Sequence, residues 1–163
     1  MRRKRKRMRA LCDVNALLAL VYAGHEHHRP VVKWLDAMPD DSVLICRTSQ
    51  AGLLRLLTIR SLMQDDVCTM AAAWRVYDQL LADSRFRFCS EPEGVTDLWR
   101  ALCPPHMVAP KKWTDAYLAA FAIATGTRLV TLDRGFHEFR GLEVLVLGQP
   151  ALNEEGEVYQ VRR

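Results

Sequence analysis

Residues 113–133, WTDAYLAAFAIATGTRLVTLD, decide the fold of this chain. Apolar residues recur at helical spacing from Trp113 to Thr125, and Gly126 is a typical residue at a helix end. The β-rich run at residues 128–132 then predicts a strand. A helix of about 13 residues is ~20 Å long, close to the ~17 Å of five strand residues. Asp115, near the helix start, and Asp133, after the strand, are therefore expected on one side of the fold.

The rest of the chain repeats this alternation of strand and helix. β-rich runs predict strands at residues 9–12, 42–46, 86–89, 128–132 and 143–147. Helical spacing predicts helices at residues 16–22, 30–38, 51–59, 67–81, 96–102 and 113–125. Thr48 or Ser49 is expected to cap the third of these helices. Such an alternation predicts an α/β fold, with a central parallel sheet and helices on both of its faces.

A third aspartate, Asp13, follows the first predicted strand. Sites in open α/β sheets form beyond the carboxyl ends of the strands, so Asp13, Asp115 and Asp133 are expected to converge there. Taken singly, they could be a helix cap, a partner of a helix dipole and a turn former. Those explanations leave the convergence unexplained, because like charges repel unless a cation or protons neutralise them. Oxygen ligands favour Mg²⁺ or Mn²⁺ as that cation.

Five motifs carry a resemblance to a known family. They are DVN at residues 13–15, HRPVVKWL at 28–35, RTSQAGLLR at 47–55, WTDAYLA at 113–119 and VTLDRGF at 130–136. With them, the chain from Met8 to about Leu147 resembles the PIN-domain nucleases, and within these the VapC-type toxins of bacterial toxin–antitoxin pairs. The last two motifs, in this order and at this spacing, are fairly specific, whereas Asp-x-Asn alone is weak.

The resemblance implies a three-layer α/β/α PIN-like domain and a Mg²⁺- or Mn²⁺-dependent ribonuclease. Asp13, Asp115 and Asp133 would be the catalytic, metal-binding residues. Asn15 would support Asp13, and Thr131 would orient Asp133 or a phosphate. The implied partners are an RNA substrate, a cognate antitoxin that reaches into the active site, and a second copy of the chain. The apolar helices within residues 51–81 are the expected surface for the two protein partners.

The sequence departs from the family after the second strand. The family usually supplies a glutamate there, but residues 48–55, TSQAGLLR, contain no carboxylate. Gln50, Ser49 or Thr48 could supply a neutral oxygen instead. One fewer negative charge suggests one tightly held ion, with a second arriving with RNA. It also motivates an alternative function, a catalytically impaired PIN-like module that binds RNA or a protein.

Several other side chains have two interpretations. Arg55 could bind a substrate phosphate or form a salt bridge to one of the aspartates. Lys111 and Lys112 could contact the RNA backbone or be ordinary exposed lysines. The histidines at 25, 27 and 28 favour a solvated loop over a zinc site, because no second ligand pair stands at suitable spacing. Core or interface packing, rather than base stacking, is expected for Trp34, Trp74, Trp99 and Trp113.

Length and composition indicate one domain without a membrane span. A chain of 163 residues, half of them hydrophobic and 26% charged, can bury a single sizeable core. Its apolar runs are short and interrupted by charges, which excludes a bilayer-spanning helix. Five cysteines, an odd number without CxxC spacing, favour the reduced cytoplasm as its location.

The two ends of the chain differ from the part between them. Seven of the 23 basic side chains lie in the first nine residues, MRRKRKRMR, which leaves 16 basic against 19 acidic residues elsewhere. For the basic leader at residues 1–8, three interpretations stay open: an arm that contacts phosphates, a nuclear-localisation-like cluster, and a disordered or upstream extension before a start at Met8. The PIN-like domain is expected at residues 9–148, followed by a polar C-terminal tail at 149–163.

Overall fold

The computed structural model describes residues 8–148. The predictions for the C-terminal tail, and for the leader apart from Met8, lie outside the described residues. Five strands run in the order β1 Ala10–Cys12, β2 Val43–Ile45, β3 Phe86–Phe88, β4 Arg128–Thr131 and β5 Val144–Val146. The helices are α1 Val14–Val21, α2 His28–Asp36, α3 Arg47–Leu57, α4 Arg60–Met63, α5 Met70–Ala82, α6 Val95–Leu102 and α7 Lys112–Thr125. Two short 3-10 helices span Gln64–Asp66 and Arg134–Glu138.

The five strands form one parallel sheet in the order β3-β2-β1-β4-β5. The first strand is therefore central, and Leu11 pairs with Leu44 on one side and Leu129 on the other. Because every strand points the same way, all five carboxyl ends lie along one edge of the sheet. The predicted parallel sheet is confirmed.

Two separate cores cover the two faces of the sheet. Ala10 and Cys12 of β1 belong to a cluster with Leu17 of α1 and Leu53 of α3. Leu11, which points the opposite way, belongs to a second cluster formed with the buried side chains of α7. Alternate strand residues point to opposite faces, so this division of β1 places helices on both faces. The α/β/α three-layer class is confirmed.

The elements that flank the site match the predicted α7–β4 unit closely. Helix α7 ends at Gly126, whose φ of 63° lies in the left-handed region that favours glycine. The alanines at 116, 119 and 120 are all buried, which lets α7 lie close to the sheet. The helix therefore begins at the sheet edge where β4 ends, as its length predicts.

Two predicted helix starts are wrong. Helix α3 begins at Arg47 with Cys46 as its N-cap, and neither Thr48 nor Ser49 caps it. The hydroxyl of Ser49 instead donates to the carbonyl oxygen of Cys12 at 2.9 Å, so a bond between elements replaces the local cap. Helix α5 begins three residues later than expected, because Thr69 caps it through a bond from Ala72 N.

Within residues 8–148, no helix has both the length and the hydrophobicity needed to cross a lipid bilayer. All five cysteines carry free thiols, and Cys12 and Cys46 are buried in the core.

Candidate active site

Asp13 lies directly after β1 and is buried, with 7% of its surface exposed. Its Oδ1 accepts from the backbone N of Val14 at 2.6 Å, and its Oδ2 accepts from Thr131 Oγ1 at 2.8 Å. Asp13 is the N-cap of α1, so its structural role as a cap is real. Burial raises the pKa of its carboxyl, the two hydrogen bonds oppose that shift, and the charges of Asp115 and Asp133 add to it.

Thr131 connects two of the three aspartates. Its side chain is fully buried at the end of β4. The hydroxyl donates to the carboxylate of Asp13 and accepts from the backbone N of Asp133 at 3.0 Å. One buried hydroxyl therefore fixes the end of β1 against the end of β4. The expected orienting role falls on the Asp13 side chain and on the Asp133 backbone.

Asp115 lies in the first turn of α7 and is partly buried. Burial raises the pKa of its carboxyl, Lys112 opposes that shift, and Asp133 and Glu138 add to it. Asp133 is exposed after β4, where its Oδ1 accepts from Gly135 N at 2.7 Å. Each of the three aspartates thus interacts electrostatically with the other two. Helix α7 and strands β1 and β4 bring them to one edge.

Lys112 and Glu138 also belong to this edge, and Glu138 was missed in the sequence. The two side chains form an ion pair. Lys112 interacts electrostatically with Asp115 and Asp133 as well. Glu138 ends the short 3-10 helix that Asp133 caps. The sequence does contain this glutamate five residues after Asp133. Apolar periodicity does not predict a 3-10 helix, however, and so gives no sign that Glu138 lies near the aspartates.

The predicted neutral ligands after β2 each have another partner. Gln50 is buried, and its Oε1 accepts from the guanidinium of Arg47. That guanidinium also lies over the ring of Phe88, 4.6 Å from the ring centroid. Ser49 donates to the Cys12 carbonyl oxygen, and the Thr48 side chain faces the Tyr117 hydroxyl. The Gln50 oxygen is therefore engaged by a cation of the protein itself.

Helix α3 nevertheless shapes the turn that carries Asp13. The Ser49 hydroxyl binds the carbonyl of Cys12, one residue before the aspartate. Gly52 faces Val14, one residue after it, and a Cβ added at Gly52 would lie 2.6 Å from Val14 Cγ2. Ser49 and Gly52, three residues apart on α3, thus contact the chain on both sides of Asp13.

Two of the predicted supporting residues stand apart from this network. Asn15 is exposed in the first turn of α1, and Arg55 is exposed in the last turn of α3. Among the ion pairs formed within residues 8–148, none joins Arg55 to an aspartate. Of the two interpretations of Arg55, the phosphate contact stays a prediction.

The aspartates suit a divalent cation by donor type and charge. Their oxygens are the ligands that Mg²⁺ and Mn²⁺ prefer. Burial, and to a lesser extent mutual repulsion, raises the pKa of Asp13 and Asp115, and a cation would relieve the repulsion. Within the described residues, however, no three His, Cys, Asp or Glu side chains stand in a ligand cluster. Hydrogen bonds from Val14 N, Thr131 and Gly135 N engage two of the carboxylates instead.

Two of the four tryptophans pack against the cores and two are exposed, whereas the histidines make local contacts. Trp34 and Trp99 pack partly against the two cores. Trp74 and Trp113 are 47% and 61% exposed, so neither packs in a core, and interface packing stays the prediction for both. Around the histidine loop, His25 Nδ1 accepts from His27 N at 3.0 Å. His28 Nδ1 lies 2.8 Å from the carbonyl oxygen of Ala19.

Most of the chain is similar in sequence to known proteins. The PIN domain family matches residues 10–142. Ribonuclease VapC41 of Mycobacterium tuberculosis is 42% identical over 144 residues, covering 85% of this chain and 99% of that protein. Ribonuclease VapC38 of the same organism is 33% identical over 126 residues, covering 77% and 86%.

Solved structures with the same fold are more distant in sequence. VapBC2 from Rickettsia felis, bound to a DNA fragment of its promoter, aligns with a TM-score of 0.63 at 15% identity, covering 86% of this chain and all of that one. VapC20 of Mycobacterium tuberculosis, described as a sarcin-ricin loop cleaving toxin, aligns with a TM-score of 0.60 at 16% identity, covering 82% and 98%. At these identities the likeness establishes the fold alone.

Proposed function

The chain belongs to the PIN-domain family and, within it, to the VapC-type ribonuclease toxins, and from this premise we propose that it hydrolyses RNA phosphodiesters with a divalent metal ion. The observation that carries the proposal is the position of Asp13, Asp115 and Asp133 at one end of the sheet, where the Thr131 hydroxyl bonds to the Asp13 carboxylate and to the Asp133 backbone. Separate structural roles for the three aspartates give no reason for that convergence.

The three aspartates would hold Mg²⁺ or Mn²⁺. When bound, such an ion supplies Lewis-acid stabilisation of the phosphate and activates water at neutral pH. The Thr131 hydroxyl bonds to the Asp13 carboxylate and to the backbone N of Asp133, and so connects the end of β1 to the end of β4. Lys112 supplies a positive charge beside Asp115 and Asp133, suited to an RNA phosphate.

One tightly held ion, rather than two, suits the charge of this site. The glutamate usual in the family is replaced by Gln50, whose oxygen accepts from Arg47. A neutral ligand already engaged by a guanidinium attracts a second cation weakly. We therefore assign one tight ion to the free protein, with a second arriving together with the RNA.

The proposed partners are a cognate antitoxin and a second copy of the chain, and the proposed location is the cytoplasm. Solved relatives of the same fold include toxin–antitoxin complexes. On this chain, Met70 and Trp74, one turn apart on α5, are 78% and 47% exposed, and Leu62 on α4 is 46% exposed. Exposed pairs of large apolar side chains such as Met70 and Trp74 are typical of protein interfaces. These residues lie within the apolar 51–81 region predicted from the sequence.

Cleavage of RNA by the purified full-length protein tests the enzyme. Wild type should cut single-stranded RNA with Mg²⁺ or Mn²⁺ and be inert in a chelator. Asp13→Asn and Asp115→Asn should each abolish cutting. Asp97→Asn is the matched control, because Asp97 is also a first-turn helical aspartate but lies exposed on α6.

The alternative function, a PIN-like module that only binds RNA or a protein, rests on the absent glutamate. It predicts that wild type and the aspartate variants bind RNA equally and cut none. Metal-dependent cutting that is lost in Asp115→Asn and kept in Asp97→Asn would exclude it.

A further inference from the structure

A groove of about 940 Å³ opens beside the carboxylate edge. Its walls come from the end of α6, the segment at residues 103–109 and the first turn of α7. The side chains that matter here are Trp99, Pro104, Met107, Trp113 and Phe139. This volume lies within the range of small-molecule sites, about 300–1,000 Å³, and the lining is mostly apolar and aromatic.

Trp113 forms an exposed and fixed wall of this groove. Its side chain is 61% exposed although it sits in a regular helix. The ring meets Trp99 edge to face, with centroids 6.1 Å apart and planes at 87°. Trp99 is itself held, because its Nε1 donates to the backbone oxygen of Trp113 at 2.9 Å. An aromatic platform that is already oriented loses little entropy when it binds a planar ligand.

The groove and the carboxylate edge share two residues. Lys112 and Glu138 line the groove. Lys112 also interacts electrostatically with Asp115 and Asp133. A chain whose phosphate lies at the aspartates would therefore have its neighbouring nucleotide at the mouth of the groove, with Lys112 between them.

We propose that this groove is a subsite for an unpaired nucleotide of the RNA adjacent to the scissile phosphate. The base stacks on Trp113, and Lys112 contacts the adjoining phosphate. The inference rests on the proposed function and sharpens its substrate class. A base paired within a duplex cannot reach the groove, so the subsite selects single-stranded or looped RNA.

Charge and position favour RNA over a protein segment as the occupant. Two cations line the groove and suit a phosphate backbone: Arg100, and Lys112, for which a phosphate would compete with Glu138. A tryptophan face is sequence-tolerant as a stacking platform, since every base has a π-face. The exposed apolar side chains of the proposed protein interface, Leu62 and Met70, belong to other elements, α4 and the start of α5.

Binding can be measured without cleavage in an Asp115→Asn parent. The probe is a fluorescein-labelled 12-nucleotide single-stranded RNA of mixed sequence, titrated by anisotropy. Trp113→Ala should weaken binding about tenfold, within the roughly 5- to 150-fold that base stacking supplies. Trp113→Phe should stay within about threefold of the parent, because it keeps an aromatic face. Val108→Ala is the control, since Val108 is 96% exposed beside the groove but does not line it.

Two further arms separate the base from the phosphate. An abasic ribose–phosphate 12-mer should bind the parent as weakly as RNA binds the Trp113→Ala variant, and this arm needs no groove substitution. Lys112→Met should reduce the slope of log affinity against log salt by about 0.7, the value for one phosphate contact on a single strand. The same RNA annealed to its complement should bind equally to the parent and to Trp113→Ala.

The inference is overturned if the parent does not bind the single strand, if Trp113→Ala binds like the parent, or if the abasic oligomer binds like RNA. It is also overturned if Trp113→Ala leaves RNA binding intact but dissociates a dimer in sedimentation, because the occupant is then a second copy. The proposed enzyme fails separately, by absence of metal-dependent cleavage in wild type, whatever the stacking result.

Discussion

Thr131 Oγ1 donates a 2.8 Å hydrogen bond to Asp13 Oδ2, although 118 positions separate the two residues in sequence. Both side chains are buried, and the same hydroxyl accepts from the backbone N of Asp133. The bond lowers the pKa of a carboxyl that burial and neighbouring charges raise. It therefore favours the charged form of this acid and fixes the acid against β4.

Thr131→Val should impair both stability and cleavage. The substitution keeps the β-branched shape but leaves the Asp13 carboxylate and the Asp133 N–H without their partner, at a cost of about 1–3 kcal/mol in unfolding free energy. Loss of a group that orients a metal-binding residue typically lowers activity by about 10–100-fold. Urea unfolding and RNA cleavage rates measure the two effects. Thr131→Ser keeps the hydroxyl and should remain near wild type, and equal damage in both variants would contradict this role.

Gly52→Ala should destabilise the protein, although alanine favours helices by about 1 kcal/mol over glycine. The new Cβ would lie 2.6 Å from Val14 Cγ2, so α3 must move away from the turn that carries Asp13. Overpacking of this kind costs about 1–3 kcal/mol. Unfolding in urea measures the loss.

A second substitution tests that cause. Val14→Ala removes the clashing methyl groups, so Gly52→Ala should cost less in the Val14→Ala background than in wild type. A loss that is the same in both backgrounds would exclude the contact between Gly52 and Val14 as the reason.

How far the sequence predicts this site depends on whether an interaction is local. The lengths of helix and strand place Asp115 and Asp133 together, because that argument needs only residues 113–133. The start of α3 could not be predicted from local sequence. Ser49 looks like a helix cap, but its hydroxyl donates to the carbonyl oxygen of Cys12, which belongs to β1.

Glu138 and Trp113 illustrate two further limits. Glu138 approaches the aspartates through a 3-10 turn, which leaves no periodic pattern in the sequence. Trp113 occurs at helical apolar spacing, which predicts burial. Trp113 lies in the first turn of α7, beyond the end of the sheet. Its ring therefore lines a groove instead of packing in the core.

Without metal, wild type should lose stability more steeply than Asp115→Asn as the pH rises, because the variant keeps only the contribution of Asp13. The pKa of Asp115 is raised in the folded protein above its ordinary value of 3.8. Its favourable contribution is therefore complete below pH ~3.8 and is lost as the pH rises through the higher folded value. At pH 7 in a chelator, Asp115→Asn should melt higher than wild type by roughly 1–3 °C, and this gap should close near pH 4.

Added Mg²⁺ should reverse that order. The ion binds the folded wild type and stabilises it by mass action, whereas the variant has lost one ligand. Thermal melts with and without Mg²⁺, across pH 4–8, measure both effects. A variant that melts below wild type in the chelator would show that Asp115 is not repelled in the folded state.

The number of metal ions depends on Arg47 as well as on Gln50. Wild type should bind one Mn²⁺ tightly in calorimetric titration, because Gln50 is neutral and its oxygen accepts from the Arg47 guanidinium. Gln50→Glu alone should still bind one, since the new carboxylate would pair with Arg47 and raise the melting temperature. In the double variant Arg47→Ala/Gln50→Glu that carboxylate has no guanidinium partner, and a second Mn²⁺ should bind.

Arg55→Ala/Gln50→Glu is the matched control, because it removes an exposed arginine of the same helix and leaves Arg47 in place. Two tight sites in wild type would contradict the single-ion assignment, and a second site in the control would remove Arg47 from the explanation.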